Sequence, residues 1–108
     1  MISLKVKKIV CEIFALGIVI TERTEYDCFI RFSAHVNTLN VELCNKKDYN
    51  TNLFSYSIRI NEERWLSPDN KFVPVIDLLL EIRNKQQQLL LPNVSEILED
   101  AKMVINNE

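Results

Sequence analysis

Apolar and polar residues alternate strictly in two neighbouring stretches of this chain. From Tyr26 to Ser33, the residues Tyr26, Cys28, Ile30 and Phe32 point one way, and Asp27, Phe29, Arg31 and Ser33 point the other. From Thr38 to Cys44 the apolar set is Leu39, Val41 and Leu43, opposed by Thr38, Asn40, Glu42 and Cys44. A period of two marks a strand with one covered face. In an antiparallel hairpin, facing residues have a constant index sum, which must be odd for both apolar sets to share a face. A tight turn at Ala34-His35-Val36-Asn37 meets that condition and pairs Phe32 with Leu39. A slip of one residue would expose the whole set, so the register is strongly specified.

A third strand is predicted over Leu53 to Ile60, with Phe54, Tyr56, Ile58 and Ile60 inward and Ser55, Ser57 and Arg59 outward. Asn45 to Asn52 reads as a polar loop, and Ser67-Pro68-Asp69-Asn70 as a turn. The helical period governs the rest. Leu4 to Val19 gives a first helix whose core stripe is Val6, Val10, Ile13, Phe14 and Gly17. Ile9, Leu16 and Val19 lie off that stripe and form surplus apolar surface, either covered internally or set aside for a partner. A second helix is expected from Phe72 to Leu89, with Pro74 tolerated in its first turn and a wide apolar arc from Val75 to Ile82. Beyond Pro92, Asn93 and Glu96 resemble a capping box, and a last helix would run to Ile105. The expected architecture is one α+β domain over residues 1–108, in the order α-β-β-β-α-α. A three-stranded antiparallel sheet would carry its helices on one face.

The apolar run Ile9 to Ile20, behind Lys5, Lys7 and Lys8, mimics a secretory signal. Glu12 inside the run, and the lack of small residues for cleavage after it, favour a buried helix instead. The run is also short of the roughly 20 apolar residues that a membrane span needs. Three cysteines, Cys11, Cys28 and Cys44, with no C-x-x-C pair, fit reduced thiols and a cytoplasmic location better than a disulfide framework.

The net charge is −2 and the thirteen basic residues are scattered, so nothing attracts a phosphate backbone and no direct nucleic-acid contact is expected. With Gly17 as the one glycine, every glycine-rich phosphate loop is excluded. Cys28, His35 and Cys44 match no zinc spacing, and strand parity sets Cys28 and Cys44 on opposite faces. His35, the single histidine, has neither a nucleophile nor an orienting carboxylate beside it in the hairpin. The carboxylate pairs Glu62-Glu63 and Glu99-Asp100 read as solvated charges, and no serine sits in a G-x-S-x-G setting. No enzymatic activity, no metal and no cofactor are expected.

Two surfaces remain as candidates for binding. One is the outer sheet face, with Phe29, Arg31, Asn40, Glu42, Ser55, Ser57 and Arg59, bordered by Tyr49 in the polar loop. Arginine and aromatic residues are the types that anchor interfaces. The bland alternative is a solvated face tied by an Arg31–Glu42 cross-strand pair. The other is the surplus apolar helix surface near Ile9, Leu16 and Val19, or on the last helix, which is either covered internally or a dimer seam. Trp65, just past the third strand, fits a lid over the core better than a platform for a ligand.

The segment from Phe29 to Asn37, followed by Leu39 to Leu43, resembles a hairpin found in small uncharacterised proteins of phages and prophages of Gram-positive bacteria. In those, a small residue-His-Val-Asn turn joins two alternating strands, and Ala34 stands here where glycine is more typical. The α-β-β-β-α-α order is similar to that of an anti-CRISPR protein, a phage inhibitor that blocks the DNA-recognition site of a Cas9-type nuclease. That inhibitor is strongly acidic and imitates DNA. The resemblance therefore implies, for a chain at −2, an inhibitor working by shape and apolar contact. The expectation is a non-enzymatic accessory protein of a phage or mobile element. It would bind a host factor or nuclease, or itself as a homodimer, with no membrane contact. A small-ligand or catalytic module on the polar sheet face is the rival, and a structural homodimer the third reading.

Overall fold

The computed structural model describes residues 1–91. Helix α1 spans Leu4–Arg23, four residues beyond the expected Val19. Ser3 caps its start by accepting from the Val6 amide at 3.2 Å. Its last carbonyls are met by Thr24, whose hydroxyl donates to Ile20 O at 2.7 Å, and by the Lys46 ammonium, 2.6 Å from Thr21 O and 2.8 Å from Thr24 O. A cation at this end also suits the negative pole of the helix.

Strands β1 (Tyr26–Ser33), β2 (Thr38–Asn45) and β3 (Asp48–Arg59) form an antiparallel sheet in the order β1-β2-β3. Phe32 lies opposite Leu39, as the parity argument requires. The turn between them is a short 3-10 segment, Ala34–Val36, closed by Asn37 in the left-handed region at φ 51°. Asparagine tolerates that conformation better than most residues, because its short polar side chain bonds locally.

Three expectations are corrected. Asn45 to Asn52 is not a loop: β2 runs to Asn45, β3 begins at Asp48, and a tight turn at Lys46-Lys47 joins them. Tyr49 therefore stands on a strand. Phe72–Pro74 is not helix but strand β5, paired with β4 (Arg64–Leu66) around the expected turn at Ser67–Asn70; helix α2 starts at Val75 and ends at Leu90. In α1, the buried residues are Val6, Ile9, Ile13, Leu16, Gly17 and Ile20, whereas Val10 and Phe14 are only partly covered. Ile9 and Leu16 are thus core rather than surplus surface. The expected final helix lies outside the described residues.

The two helices stack on one face of the sheet and run parallel. Arg83 Nη1 donates to Glu12 Oε2 at 2.9 Å, Gln86 Nε2 to Ile13 O at 3.0 Å, and Leu90 packs with Leu16 and Ile20, so both chains advance together. The inner sheet residues Leu39, Val41, Leu43, Tyr56 and Ile58 complete the core with α1 and α2. Gly17 permits this close approach: a Cβ there would sit 2.5 Å from Ile30 Cδ1 and 3.1 Å from Cys28 Sγ. Trp65 packs on the margin of the core, as a lid would. Among the described residues no helix is long and apolar enough to cross a membrane.

Candidate protein-binding face

The outer face of the sheet follows from the register. Asp27, Phe29 and Arg31 of β1 stand opposite Cys44, Glu42 and Asn40 of β2, which in turn face Asn52, Ser55 and Ser57 of β3. The pairing sum between β2 and β3 changes twice: after Leu43, where β3 carries the extra residue Leu53, and after Cys44, where Tyr49, Asn50 and Thr51 are extra before Asp48 pairs with Asn45. Such a bulge bends the strand and sharpens its twist. The second interruption holds Tyr49, at the start of β3, which reaches across to β1. Tyr49 packs edge-on against Phe29 with ring centroids 5.6 Å apart and planes at 87°, a favoured aromatic arrangement. Its hydroxyl donates to Asp27 Oδ2 at 2.6 Å. That bond to a carboxylate, with the charge of Asp27, holds the Tyr49 phenol above its ordinary pKa.

Beneath this pair sits Cys44, on the outer side as expected but only 2% exposed. Its thiol lies 3.3 Å from Glu42 Oε1 and 3.2 Å from Asn52 Oδ1 and donates to one or the other. Burial raises its pKa first, then the hydrogen bond and charge of Glu42 and the charge of Asp27. A thiol so held is a poor nucleophile. Cys28 points to the inner side, where burial pushes its pKa up to about 11. The three cysteines are free thiols, with Cys11 exposed on α1. Among the described residues no group of three or more His, Cys, Asp or Glu side chains is placed to hold a metal ion.

Of the residues singled out from the sequence, Phe29, Arg31, Asn40, Glu42 and Tyr49 share this face. Phe29 keeps 48% and Tyr49 58% of its surface exposed. The cross-strand Arg31–Glu42 pair does not form: the ion pairs among the described residues are Lys71–Asp69 and Arg83–Glu12. Arg31 stays exposed, while one oxygen of Glu42 faces the Cys44 thiol. Arg59, opposite Thr38, has the same outward parity at the far end of β3, with its guanidinium over the Trp65 ring, 5.3 Å from the centroid. Sequence reasoning missed Asp27 and Asn52, which fix the orientation of Tyr49 and Cys44. The strict alternation of β1 was the available signal for Asp27; the bulge that delivers Asn52 has none.

Other polar groups converge elsewhere and serve packing. Tyr56 donates to Glu81 and accepts from Lys85 Nζ at 2.8 Å, and the same ammonium stands over the Phe54 and Tyr56 rings at 5.7 and 5.1 Å. Burial, then Glu81, keeps the Tyr56 phenol protonated far above its usual range. This closed network ties α2 to the sheet. A cavity of about 580 Å³ lies at the starts of both helices, lined by Ser3, Val6, Ile60, Glu63 and Val75 among others, away from the outer face. Compared with protein-family models, curated proteins and solved structures, the chain matches none.

Proposed function

We propose that this chain works by binding another protein through the outer face of its sheet, with no catalysis of its own and no cofactor. The observation that carries this reading is the pair of half-exposed rings, Phe29 and Tyr49, locked edge-on over a three-stranded platform. Aromatic anchors bury large areas at little conformational cost, because two torsions fix them. Here the Asp27 hydrogen bond has already fixed Tyr49. Exposed Arg31 supplies a residue type that recurs at the centre of interfaces. The resemblance of the hairpin, and of the element order, narrows the reading. It favours an accessory or inhibitory protein of a phage or mobile element, acting in the cytoplasm on a host factor or nuclease.

The test is affinity capture from the native host with the wild-type chain and with a Phe29→Ala/Tyr49→Ala double variant. One protein recovered in stoichiometric amount by the wild type, and lost with the folded variant, is the expected result. If nothing is captured while a metabolite raises the melting temperature, the small-ligand reading of this face replaces it.

A further inference from the structure

The outer face carries its charges in a self-complementary order. Along β1 the outward residues are Asp27, Phe29, Arg31 and Ser33; the row of Phe29 continues into Glu42 and Ser55, and the row of Arg31 into Asn40 and Ser57. One row offers an aromatic ring and a carboxylate, and the next a guanidinium and an amide. Within one chain these opposites do not satisfy each other, since Arg31 makes no ion pair among the described residues.

We propose that a second copy of this chain covers the outer face, in a two-fold sheet-on-sheet contact that sets Arg31 of each copy on Phe29 and Glu42 of the other. A two-fold axis lying across the strands, between these two rows, reverses strand direction and keeps strand order. It therefore lays each Arg31 row over the Phe29 row of the second copy. Arg31 then meets a ring face and a carboxylate together, Asn40 meets Glu42, and Ser57 meets Ser55. A contact of this kind is isologous, so each favourable pair occurs twice. Guanidinium over an aromatic face, with a carboxylate beside it, is an arrangement arginine suits better than lysine. Stacked sheets pack with strands nearly aligned, which this axis allows.

The size of the face sets the strength. The span shared by the three strands is set by the eight residues of β1 and of β2; at about 3.3 Å per residue and about 4.8 Å between strands it gives a face of roughly 26 by 14 Å. That is small beside the roughly 800 Å² per partner of a standard interface, so the dimer is reversible and concentration-dependent. The inference rests on the proposed role of this face: a foreign protein binding here displaces the second copy.

The experiment is done on the purified chain alone, so its failure is separate from any failure of capture. Mass is measured by light scattering or sedimentation over a wide concentration range. Wild type is expected to pass from monomer to dimer. Arg31→Glu and Glu42→Arg, each checked for native melting, are expected to weaken self-association at least about tenfold, the loss of one desolvated charge contact made twice. Mixed in equal amounts, the two variants are expected to recover the dimer, because a heterodimer restores both pairs. If Glu42→Arg unfolds through its tie to Cys44, Arg31→Glu alone decides, since Arg31 is exposed and makes no ion pair among the described residues. A wild type that stays monomeric overturns the proposal. So does a dimer indifferent to Arg31→Glu, or folded variants whose mixture fails to associate.

Discussion

On the inner side of the sheet Leu39, Val41, Leu43 and Ile58 have no exposed surface, while on the outer side of the same strands Phe29, Arg31, Ser55 and Ser57 all face solvent. Both sides inherit the same backbone. They differ in what closes them. The inner side is closed by α1 and α2, and its polar exceptions bond there: the Gln86 amide N–H to Ile13 O, and Tyr56 to Glu81 and Lys85. Among the described residues the outer side is closed only at one end, where the irregular start of β3 sets Tyr49 and Asn52 against Phe29 and Cys44. One side therefore carries stability, and the other is free to carry recognition.

The largest contrast comes from truncating each side in turn. Ile58→Ala leaves a cavity between the sheet and the helices and is expected to cost about 2–5 kcal/mol in denaturant unfolding. Its neighbour Ser57→Ala, on the outer side, is expected to stay within about 0.5 kcal/mol. Equal costs would erase the distinction.

Next is Gly17, where α1 touches β1. Gly17→Val drives two methyl groups into Ile30 and Cys28 and is expected to cost about 1–3 kcal/mol. Gly17→Ala should cost far less, because the Ile30 δ-methyl is a side-chain end that can swing away and alanine favours the helix by about 1 kcal/mol.

Alkali probes the inner side chemically. The Cys28 thiol is raised from 9.0 to about 11, chiefly by burial. Between those values the unfolded chain releases a proton that the folded chain keeps, so stability is full below pH 9 and falls as pH rises through 11. Tyr56 and Cys44 shift in the same direction, so Cys28→Ala should flatten the fall only in part, as urea melts across this range would show.

The smallest effect concerns Gln86, wholly buried, whose Oε1 has no partner among the described residues. Gln86→Met replaces the amide by an apolar chain of similar length, and removing a half-satisfied polar group is close to neutral. A change within about 1 kcal/mol is expected. A larger loss would show that the amide ties the parallel helices together.

Strand parity made most of this legible. The alternation from Tyr26 to Cys44 fixed the hairpin register and the membership of the outer face, because a pleated strand leaves no other choice. Where both sides of a strand are polar or exposed, that signal vanishes. Asp48 to Asn52 therefore reads as loop although it is strand, and Tyr49 lies in an interruption of the pairing that leaves no pattern. The β4–β5 hairpin is missed because three-residue strands are too short to show a period. The stripe of α1 is shifted because the helix meets the sheet on one flank and α2 on another, so a wheel with apolar residues all round has no single phase.

The central claim is that the outer face is the side that becomes covered. Hydroxyl-radical footprinting of the chain, dilute and then either concentrated or bound to a captured protein, measures this side chain by side chain. Phe29 and Tyr49 are expected to lose reactivity on association, while the equally exposed Ile18 of α1 and Phe72 of β5 keep theirs. Protection of Ile18 or Phe72, with Phe29 and Tyr49 unchanged, would contradict the account.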